Sequence, residues 1–381
     1  MSRHTEEIPL MSPAPGTSRS LIVHRYGVPG TGPKAYIHAA LHADEWPSVL
    51  TVQKLIPMLD EASARGEILG EVVLLPYANP TGLAQRMGGH VTGRYDYDGS
   101  GNFNRNWPDL SQAAAEKLGG PLPNDKGEAV EAVRAALREA AAELPRRTRN
   151  QEWRAILLGL SIDADIVLDL HCDSEATLHT YTNVRHKELV EVLGAELGSP
   201  VNLLEVEAGG GAFDEANAKP WWTLGDYLEG GADLPAACFG VTVELRGQAD
   251  VLEEYAAADA AALYRFLQRQ KVIGGDPGPM PTLNNPVSML DAVDLVRVPR
   301  SGIVGYHSEV GDRVAKGDVV ATLYDPAAVD PVGARLDLLA GTDGIMFSRF
   351  SDKLVEPGDN IAKIAGTESL SYRQAGALLE D

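Results

Sequence analysis

Two histidines and one glutamate occupy positions from which they could hold a metal ion. His42 and Glu45 lie three residues apart in a turn after an apolar strand, so both side chains can point the same way. His171 directly follows the apolar run 166–170, and α/β sheets keep their ligand crevices at the carboxyl ends of such strands. Two imidazoles and a carboxylate form a recognised catalytic zinc set, which leaves a fourth position for water. Taken singly, each motif is also explained by a solvated loop His or by a capped His at a strand end.

A further acid interrupts an apolar β-type run. Glu244 lies in Gly240-Val-Thr-Val-Glu-Leu-Arg, where an unpaired charge is costly. The carboxylate therefore either meets a basic partner, such as Arg246, or takes part in chemistry. Beside a metal-bound water, Glu244 would act as general base, because it could take a proton from the nucleophile and return it to the leaving group.

Asn and Arg side chains in one long loop could bind an anion. Asn104 and Arg105 lie in Gly101-Asn-Phe-Asn-Arg-Asn-Trp-Pro, and a guanidinium can give a carboxylate two parallel hydrogen bonds. Upstream, Arg86 could stabilise an oxyanion, and Arg94 in the same loop is the alternative. The other explanation is that these side chains only donate hydrogen bonds to turn carbonyls and so stabilise the loop.

These candidates need a scaffold, and the chain predicts one in which strands alternate with helices. Strands are predicted at 21–26, 34–41, 71–77, 165–170, 177–182 and 240–245. Helices are predicted at 47–65, 126–143, 152–161, 185–197 and 252–270. Several strands are almost continuously apolar, as in a sheet covered on both faces. Residues 1–272 are therefore predicted to form an α/β catalytic domain with a parallel or mixed sheet.

The pattern changes after a Pro- and Gly-rich linker at 273–286. Short strands and Gly-Asp turns follow, in two similar halves that begin at Gly302 and Gly344. Residues 287–381 are predicted to form a small all-β domain with a C-terminal tail. This region resembles the biotinyl/lipoyl-like barrel-sandwich hybrid fold.

The motifs occur in a specific order: His-x-x-Glu, Asn-Pro followed by an Arg, Asn-x-Asn-Arg-x-Trp-Pro, Asp-Leu-His and Thr-Val-Glu. In this order the chain resembles the succinylglutamate desuccinylase/aspartoacylase family, a branch of the zinc carboxypeptidase-like (M14) superfamily. The resemblance implies a zinc-carboxypeptidase-like (phosphorylase/hydrolase-like) mixed sheet flanked by helices. The family's frequent C-terminal β domain matches the region after the linker.

The resemblance also implies a role for each motif. One zinc ion per chain would activate a water molecule. By position, the zinc ligands are His42, Glu45 and His171, the base is Glu244, the oxyanion residue is Arg86, and the pair that binds a substrate carboxylate is Asn104 and Arg105.

The implied function is hydrolysis of the amide bond of an N-acylated amino acid or a similar small carboxylate. A metallocarboxypeptidase acting on peptides, or a hydrolase acting on ester bonds, would use the same groups and stays open. A non-catalytic carrier or binding protein is disfavoured, because the connection 324–340 contains no lysine to modify, so the small domain is expected to be a lid or an oligomerisation surface. An inactive zinc site is disfavoured because Glu244 is retained and structural zinc sites usually have four protein ligands.

The composition limits the partners. With 33 basic and 54 acidic residues the net charge is −21, so nucleic acids and anionic membranes are poor partners. The two cysteines, Cys172 and Cys238, imply no disulfide framework. The N-terminus does not resemble a signal peptide, and no run is long enough for a membrane helix. A cytoplasmic enzyme that acts on a small acylated molecule is expected, and a homo-oligomer stays open.

Two features bear on the substrate. Asp173 and Glu175 follow His171 and could favour a cationic or amino-bearing substrate, unless they lie in a solvated loop. Trp221 and Trp222 could wall a pocket or form a lid, although adjacent aromatic residues also pack in cores.

Overall fold

The computed structural model describes residues 3–207, 209–229, 231 and 234–373. The α-helices are α1 (Trp46–Ala64), α2 (Pro80–Leu83), α3 (Ser111–Leu118), α4 (Lys126–Ala142), α5 (Arg149–Ser161), α6 (Lys187–Leu197), α7 (Phe213–Ala218), α8 (Pro220–Thr223) and α9 (Glu253–Arg269). Short 3₁₀ helices lie at Val184–His186, Leu224–Tyr227 and Leu290–Ala292. The strands of the first two thirds are β1 (His4–Leu10), β2 (Arg19–Gly27), β3 (Lys34–Ala39), β4 (Glu71–Leu75), β5 (Arg86–Met87), β6 (His90–Val91), β7 (Tyr95–Asp96), β8 (Gly101–Asn102), β9 (Ile166–Asp173), β10 (Glu175–Ala176), β11 (His179–Asn183), β12 (Val201–Glu205) and β13 (Phe239–Gly247). The remaining strands are β14 (Ser288–Met289), β15 (Val293–Arg297), β16 (Gly302–Tyr306), β17 (Arg313–Val314), β18 (Val319–Tyr324), β19 (Leu336–Leu339), β20 (Gly344–Arg349), β21 (Leu354–Val355) and β22 (Asn360–Ala365).

The helices and strands predicted up to residue 272 are present, with ends that differ by a few residues. The sequence pattern does not predict β1 or β12. β1 pairs with β2 along its whole length, but none of its side chains is fully buried, so no apolar face marks it. β12 is a five-residue strand between a helix and a Gly-rich segment, which is too short to show a period.

The largest sheet in the described part of the chain is mixed and has nine strands, in the order β1-β2-β4-β3-β9-β13-β11-β12-β14. β3 lies parallel to both β4 and β9, whereas β1 and β2 are antiparallel to their neighbours. The register pairs Ala39, the last residue of β3, with Leu170 of β9, and β9 continues to Asp173. The turn with His42 and Glu45 follows β3, and His171 is the residue after Leu170. The register therefore places the predicted ligands together at the carboxyl ends of these two strands.

Burial of apolar strands and helix faces stabilises this arrangement. β4 is buried at every position, and β3 and β9 are buried at all but one terminal residue. α1 packs against α9, and α4 packs against α3 and α5. Local caps begin two of these helices: Asp125 accepts a hydrogen bond at the start of α4, and Thr148 does so at the start of α5. Among the described residues, no helix is long and apolar enough to cross a membrane.

Contacts divide the chain into two compact units. The first unit comprises the described residues of Met1–His171, Gly210–Thr242 and Val251–Met280, and the second those of Cys172–Gly209, Val243–Asp250 and Pro281–Asp381. The boundaries of these units therefore differ from those of the predicted domains 1–272 and 287–381. The predicted domain boundaries stay a prediction. Within the second unit, β10 pairs with β20 and β12 pairs with β14, so segments far apart in sequence share sheets. The predicted tail after residue 373 lies outside the described residues.

The C-terminal region of the second unit contains additional β-sheets. One has the order β10-β20-β22-β15, with β17 paired to β20, and the other has the order β19-β18-β16-β21. The predicted halves correspond to β16–β18 and β20–β22. Each half begins at a glycine, Gly302 or Gly344, where a Cβ would overlap the carbonyl oxygen at the end of that half's last strand. Each half also contains a turn closed by an aspartate, Asp318 or Asp359, that accepts a hydrogen bond from a backbone N–H.

Replacing Gly344 by Ala is expected to destabilise these sheets, because the added methyl group would overlap the Ala365 carbonyl and separate two paired strands. Urea unfolding should show a loss of about 2 kcal/mol or more in the free energy of unfolding. Gly159→Ala is the matched control, since a methyl group there meets nothing within 4 Å and the residue is helical. Equal stability of the two variants would contradict the close strand contact.

Candidate active site

His42, Glu45 and His171 come together in the first unit as a buried cluster. Ala40 has a left-handed backbone, with φ of 54°, where the chain leaves β3, and Glu45 is the N-cap residue of α1 without capping it through its side chain. The oxygens of Glu45 instead lie 2.9 Å from Nδ1 of His42 and 2.8 Å from Nδ1 of His171. One ligand atom from each residue lies within 4.8 Å of the others. The cluster therefore offers two nitrogens and a carboxylate to a single ion.

The second nitrogen of each imidazole is held by an acceptor. Nε2 of His42 lies 2.8 Å from Oδ1 of Asn102, and Nε2 of His171 lies 2.7 Å from Oδ1 of Asp169. Because an acceptor faces each Nε2, the proton of a neutral ring belongs there and Nδ1 carries a lone pair. Two lone pairs and a carboxylate then converge, which requires a positive charge among them. Metal-binding histidines typically hold their other N–H in this way, so these residues fit a divalent metal.

The pKa shifts of the cluster residues also favour a positive charge between them. Burial lowers the pKa of an imidazole, but the carboxylates of Asp169 and Glu45 outweigh it and hold the pKa of His171 well above its usual value. Burial raises the pKa of a carboxyl group, yet His171 and His42 hold the pKa of Glu45 below its usual range. Burial, together with the guanidinium of Arg94, lowers the pKa of His42. A bound metal would replace the proton on His171, so metal binding should release protons.

Asp169 connects the cluster to the sheet. Its Oδ1 lies 2.6 Å from Nε2 of His38, whose Nδ1 lies 3.0 Å from the hydroxyl of Tyr36. Its Oδ2 accepts a hydrogen bond of 3.1 Å from Nδ2 of Asn104. Asp169 and His38 are also register partners on β9 and β3. The sequence motifs do not single out Asp169, although Asp169 and His171 lie two residues apart on one strand and therefore share a face.

Arg94, not Arg86, lies against the ligand cluster. Gly93 packs so closely on Ala43 that a Cβ would lie 2.7 Å from the Cα of Ala43. This contact brings Nη1 of Arg94 to 3.2 Å from Oε1 of Glu45. Arg86 is exposed on β5, and within the described part of the chain it makes no hydrogen bond or ion pair with the cluster. The role predicted for Arg86 therefore gains no support from its position.

The predicted substrate pair, Asn104 and Arg105, lies beside the cluster. Nδ2 of Asn104 donates to Asp169 and lies 3.1 Å from Nε2 of His171, while its Oδ1 accepts a 2.8 Å hydrogen bond from the backbone N–H of Phe213. Arg105 donates to the carbonyl of Asn104 at 2.7 Å and is partly exposed. Asn104 thus belongs to the buried network, and Arg105 is the more exposed member of the pair.

Glu244 lies on β13 in the second unit, in the part of the strand where buried and half-buried side chains alternate. Its role as a general base stays a prediction. Trp221 is fully buried in the hydrophobic core of the first unit, and Trp222 packs against that core. The tryptophan pair therefore packs as core, which was one of the two interpretations of the sequence.

Asp173 and Glu175 do not form an open acidic patch. Asp173 accepts a 2.8 Å hydrogen bond from Nζ of Lys363, and Glu175 accepts one of 2.8 Å from Nζ of Lys353. These carboxylates are therefore neutralised inside the second unit. They give no reason to expect a cationic substrate.

Comparisons with known proteins agree with the fold and identify the family. The model of the succinylglutamate desuccinylase/aspartoacylase catalytic domain matches residues 31–269. An N-alpha-acetyl-L-2,4-diaminobutyric acid deacetylase from Halomonas elongata is 24% identical over 348 residues, which cover 88% of this chain and 83% of that protein. A succinylglutamate desuccinylase/aspartoacylase family structure from Shewanella amazonensis SB2B has a TM-score of 0.79 at 26% identity, and the match covers 96% of this chain and 98% of that one. The product-bound ectoine utilization protein EutE from Ruegeria pomeroyi shares the fold, with a TM-score of 0.64 at 17% identity and 96% coverage of both chains.

The family match indicates the hydrolytic deacylase class, and the mixed α/β fold with its additional C-terminal sheets agrees with it. The chain belongs to the succinylglutamate desuccinylase/aspartoacylase family.

Changes in the cluster are expected to alter metal binding in a graded way. His171→Ala should lose most bound metal, because it removes a ligand. Asp169→Asn should keep all three ligands but lower metal affinity about 10- to 100-fold, because Nε2 of His171 loses its charged acceptor. Metal content can be measured by mass spectrometry after dialysis against a chelator, with the exposed His90→Ala as the control. Full metal occupancy in His171→Ala would contradict the ligand assignment.

Proposed function

We propose that the protein is a zinc-dependent hydrolase that cleaves the amide bond of an N-acylated amino acid or a similar small carboxylate. The observation that carries the proposal is the buried cluster of His42, Glu45 and His171, with its outer nitrogens anchored by Asn102 and Asp169. Two histidines and one carboxylate leave a position open for water, as catalytic zinc sites do and closed structural sites do not. Family membership supports the deacylase part of the proposal.

Nδ1 of His42, Nδ1 of His171 and the carboxylate of Glu45 would hold the ion. When bound, zinc supplies a water of lowered pKa and polarises the substrate carbonyl. Asn102 and Asp169 keep the two imidazoles in the tautomer that leaves Nδ1 free to bind. The ligand geometry is therefore built by hydrogen bonds before any substrate arrives.

Glu244 is the proposed general base. Its carboxylate accepts a proton from the attacking water and delivers that proton to the leaving nitrogen, so that the products are a carboxylic acid and an amine. Two features support this role: Glu244 interrupts an apolar run, and it stands in the Thr-Val-Glu motif of the family resemblance.

Arg94 takes the oxyanion role in this proposal, in place of Arg86. Its guanidinium lies 3.2 Å from Glu45, and its side chain is 36% exposed, so a substrate carbonyl beside the cluster can approach it. A guanidinium at that point would stabilise the negative charge that develops on the carbonyl oxygen. Arg105, which is partly exposed, would bind the substrate carboxylate through two parallel hydrogen bonds.

A substrate screen tests the proposal directly. The Halomonas elongata relative is named for removing an acetyl group from an amino acid, so N-acetyl and N-succinyl amino acids are the first compounds to supply to the zinc-loaded protein. A peptide with a free C-terminus and a simple carboxylate ester are the comparison substrates. Preferred hydrolysis of acyl amino acids supports a deacylase, whereas preference for the peptide or the ester would favour a metallocarboxypeptidase or an esterase. No hydrolysis of any of these compounds would refute the proposal.

Glu244→Gln is expected to retain zinc and to lose turnover at least about 100-fold, because an amide cannot take the proton from water. Initial rates and zinc content of the same preparation provide the measurement. Glu254→Gln, at an exposed position on α9, makes the same chemical change and should leave both quantities unchanged. A Glu244→Gln variant with most of the wild-type rate would remove Glu244 from the base role.

Arg94→Ala and Arg86→Ala should separate the two candidates for the oxyanion residue. Loss of Arg94 is expected to lower kcat about 100-fold, since it removes the charge that stabilises the developing oxyanion. Loss of the exposed Arg86 should change kcat little. The opposite order of the two effects, measured on zinc-loaded proteins, would return the role to Arg86.

A further inference from the structure

The guanidinium of Arg154 on α5 is buried, yet within the described part of the chain it has no carboxylate partner. Arg154 is only 8% exposed. Burial lowers the pKa of Arg154 to about 10, which still leaves the group charged at neutral pH. Burying a charge without a counter-charge is unfavourable, so a buried guanidinium at this position suggests that Arg154 has a function.

Among the described residues, the hydrogen bond and the ring contact of Arg154 both lie on the loop that follows the predicted substrate pair. Nη1 donates a 2.7 Å hydrogen bond to the carbonyl oxygen of Asn106. The guanidinium carbon also lies 4.8 Å from the ring centroid of Trp107, within the range of a cation–π interaction. One guanidinium therefore holds two successive residues of the loop.

The loop turns at a left-handed residue. Asn106 has φ of 56°, a conformation that asparagine adopts more readily than most residues other than glycine. Its N–H donates to the carbonyl of Gly210 at 2.7 Å, and the N–H of Trp107 donates to the carbonyl of Gly211 at 2.9 Å. The loop is thus held by backbone bonds through its N–H groups and by Arg154 through the Asn106 carbonyl.

The residues immediately before this turn are Asn104 and Arg105. Asn104 is tied to Asp169 and lies next to His171, while Arg105 is partly exposed. The direction of the chain at Asn106 therefore determines where the Arg105 side chain can go.

We propose that Arg154 is a positioning residue, which holds the Asn104–Trp107 loop so that Arg105 can bind the carboxylate of the substrate. This inference rests on the proposed function, and it adds a residue remote from the reacting atoms that determines preference for a free carboxylate. An arginine suits the task because its planar guanidinium can stack on an indole and donate in its own plane at the same time. A lysine would keep the charge but could not make both contacts.

Arg154→Gln tests the inference, with Arg134→Gln as the matched control. Arg134 also lies over a tryptophan, 6.0 Å from the ring centroid of Trp221, but its hydrogen bonds among the described residues go to Glu131, Asp165 and the Ala237 carbonyl, and none goes to the loop. The substrates are the N-acetyl amino acid hydrolysed fastest by the wild type and its α-carboxamide, which lacks the carboxylate. Arg154→Gln should raise KM for the carboxylate about tenfold, leave kcat and zinc content nearly unchanged, and weaken the preference for the carboxylate over the carboxamide. Arg134→Gln should change none of these, and Arg154→Lys should fall between wild type and Arg154→Gln.

Amide hydrogen exchange of the peptide spanning residues 102–108 provides a second readout that needs no substrate. The amides of Asn106 and Trp107 should exchange faster in Arg154→Gln than in the wild type and in Arg134→Gln. Unchanged exchange, or an unchanged KM and carboxylate preference in an active enzyme, would overturn the inference. If the loop amides exchange faster in Arg154→Gln but the wild-type protein hydrolyses no acyl amino acid, the proposed function is refuted. The contact of Arg154 with the loop is then still supported.

Discussion

Burial of one carboxylate between two imidazoles is the constraint on which the first unit depends. Glu45 is 1% exposed, and each of its oxygens faces an imidazole nitrogen, so the group stays ionised only with positive charge beside it. The parallel register of β3 and β9 brings His42, Glu45 and His171 to the carboxyl ends of these two strands. Asp169 and Asn102 then orient the rings. A divalent ion shared by the three ligand atoms would supply that positive charge.

Two kinds of support surround the cluster. The strand side is rigid, since β3 and β9 are buried and Asp169 is bonded to His38 across them. The other side is the segment from residue 93 to 107, whose regular structure is the short pairing of β7 with β8. Separate contacts hold it: Gly93 on Ala43, the Asn102 side chain on His42, and the Asn106 carbonyl on Arg154. A loop anchored at intervals can present arginines to a ligand while its turns stay accessible.

The sequence predicts the strand-borne part of this site well and the loop-borne part poorly. His42, Glu45 and His171 are recognisable because each stands just after an apolar strand, and strand periodicity also relates Asp169 to His171. Nothing periodic distinguishes Arg94 from Arg86, since their placement depends on the packing of Gly93 against Ala43. The pairing of β10 with β20 is equally hidden, because it joins Glu175 to Arg349, 174 residues later in the chain. Such contacts between distant residues leave no local pattern.

The most direct test of the account is to locate the metal itself. A crystal of the zinc-loaded protein, measured on both sides of the zinc absorption edge, would show whether an anomalous scatterer lies among the candidate ligands. We expect one strong peak per chain, bonded to Nδ1 of His42, a carboxylate oxygen of Glu45 and Nδ1 of His171, with Nε2 of each ring still facing Asn102 or Asp169. A zinc-loaded crystal with no peak at that point, or with its zinc bound through other residues, would contradict it.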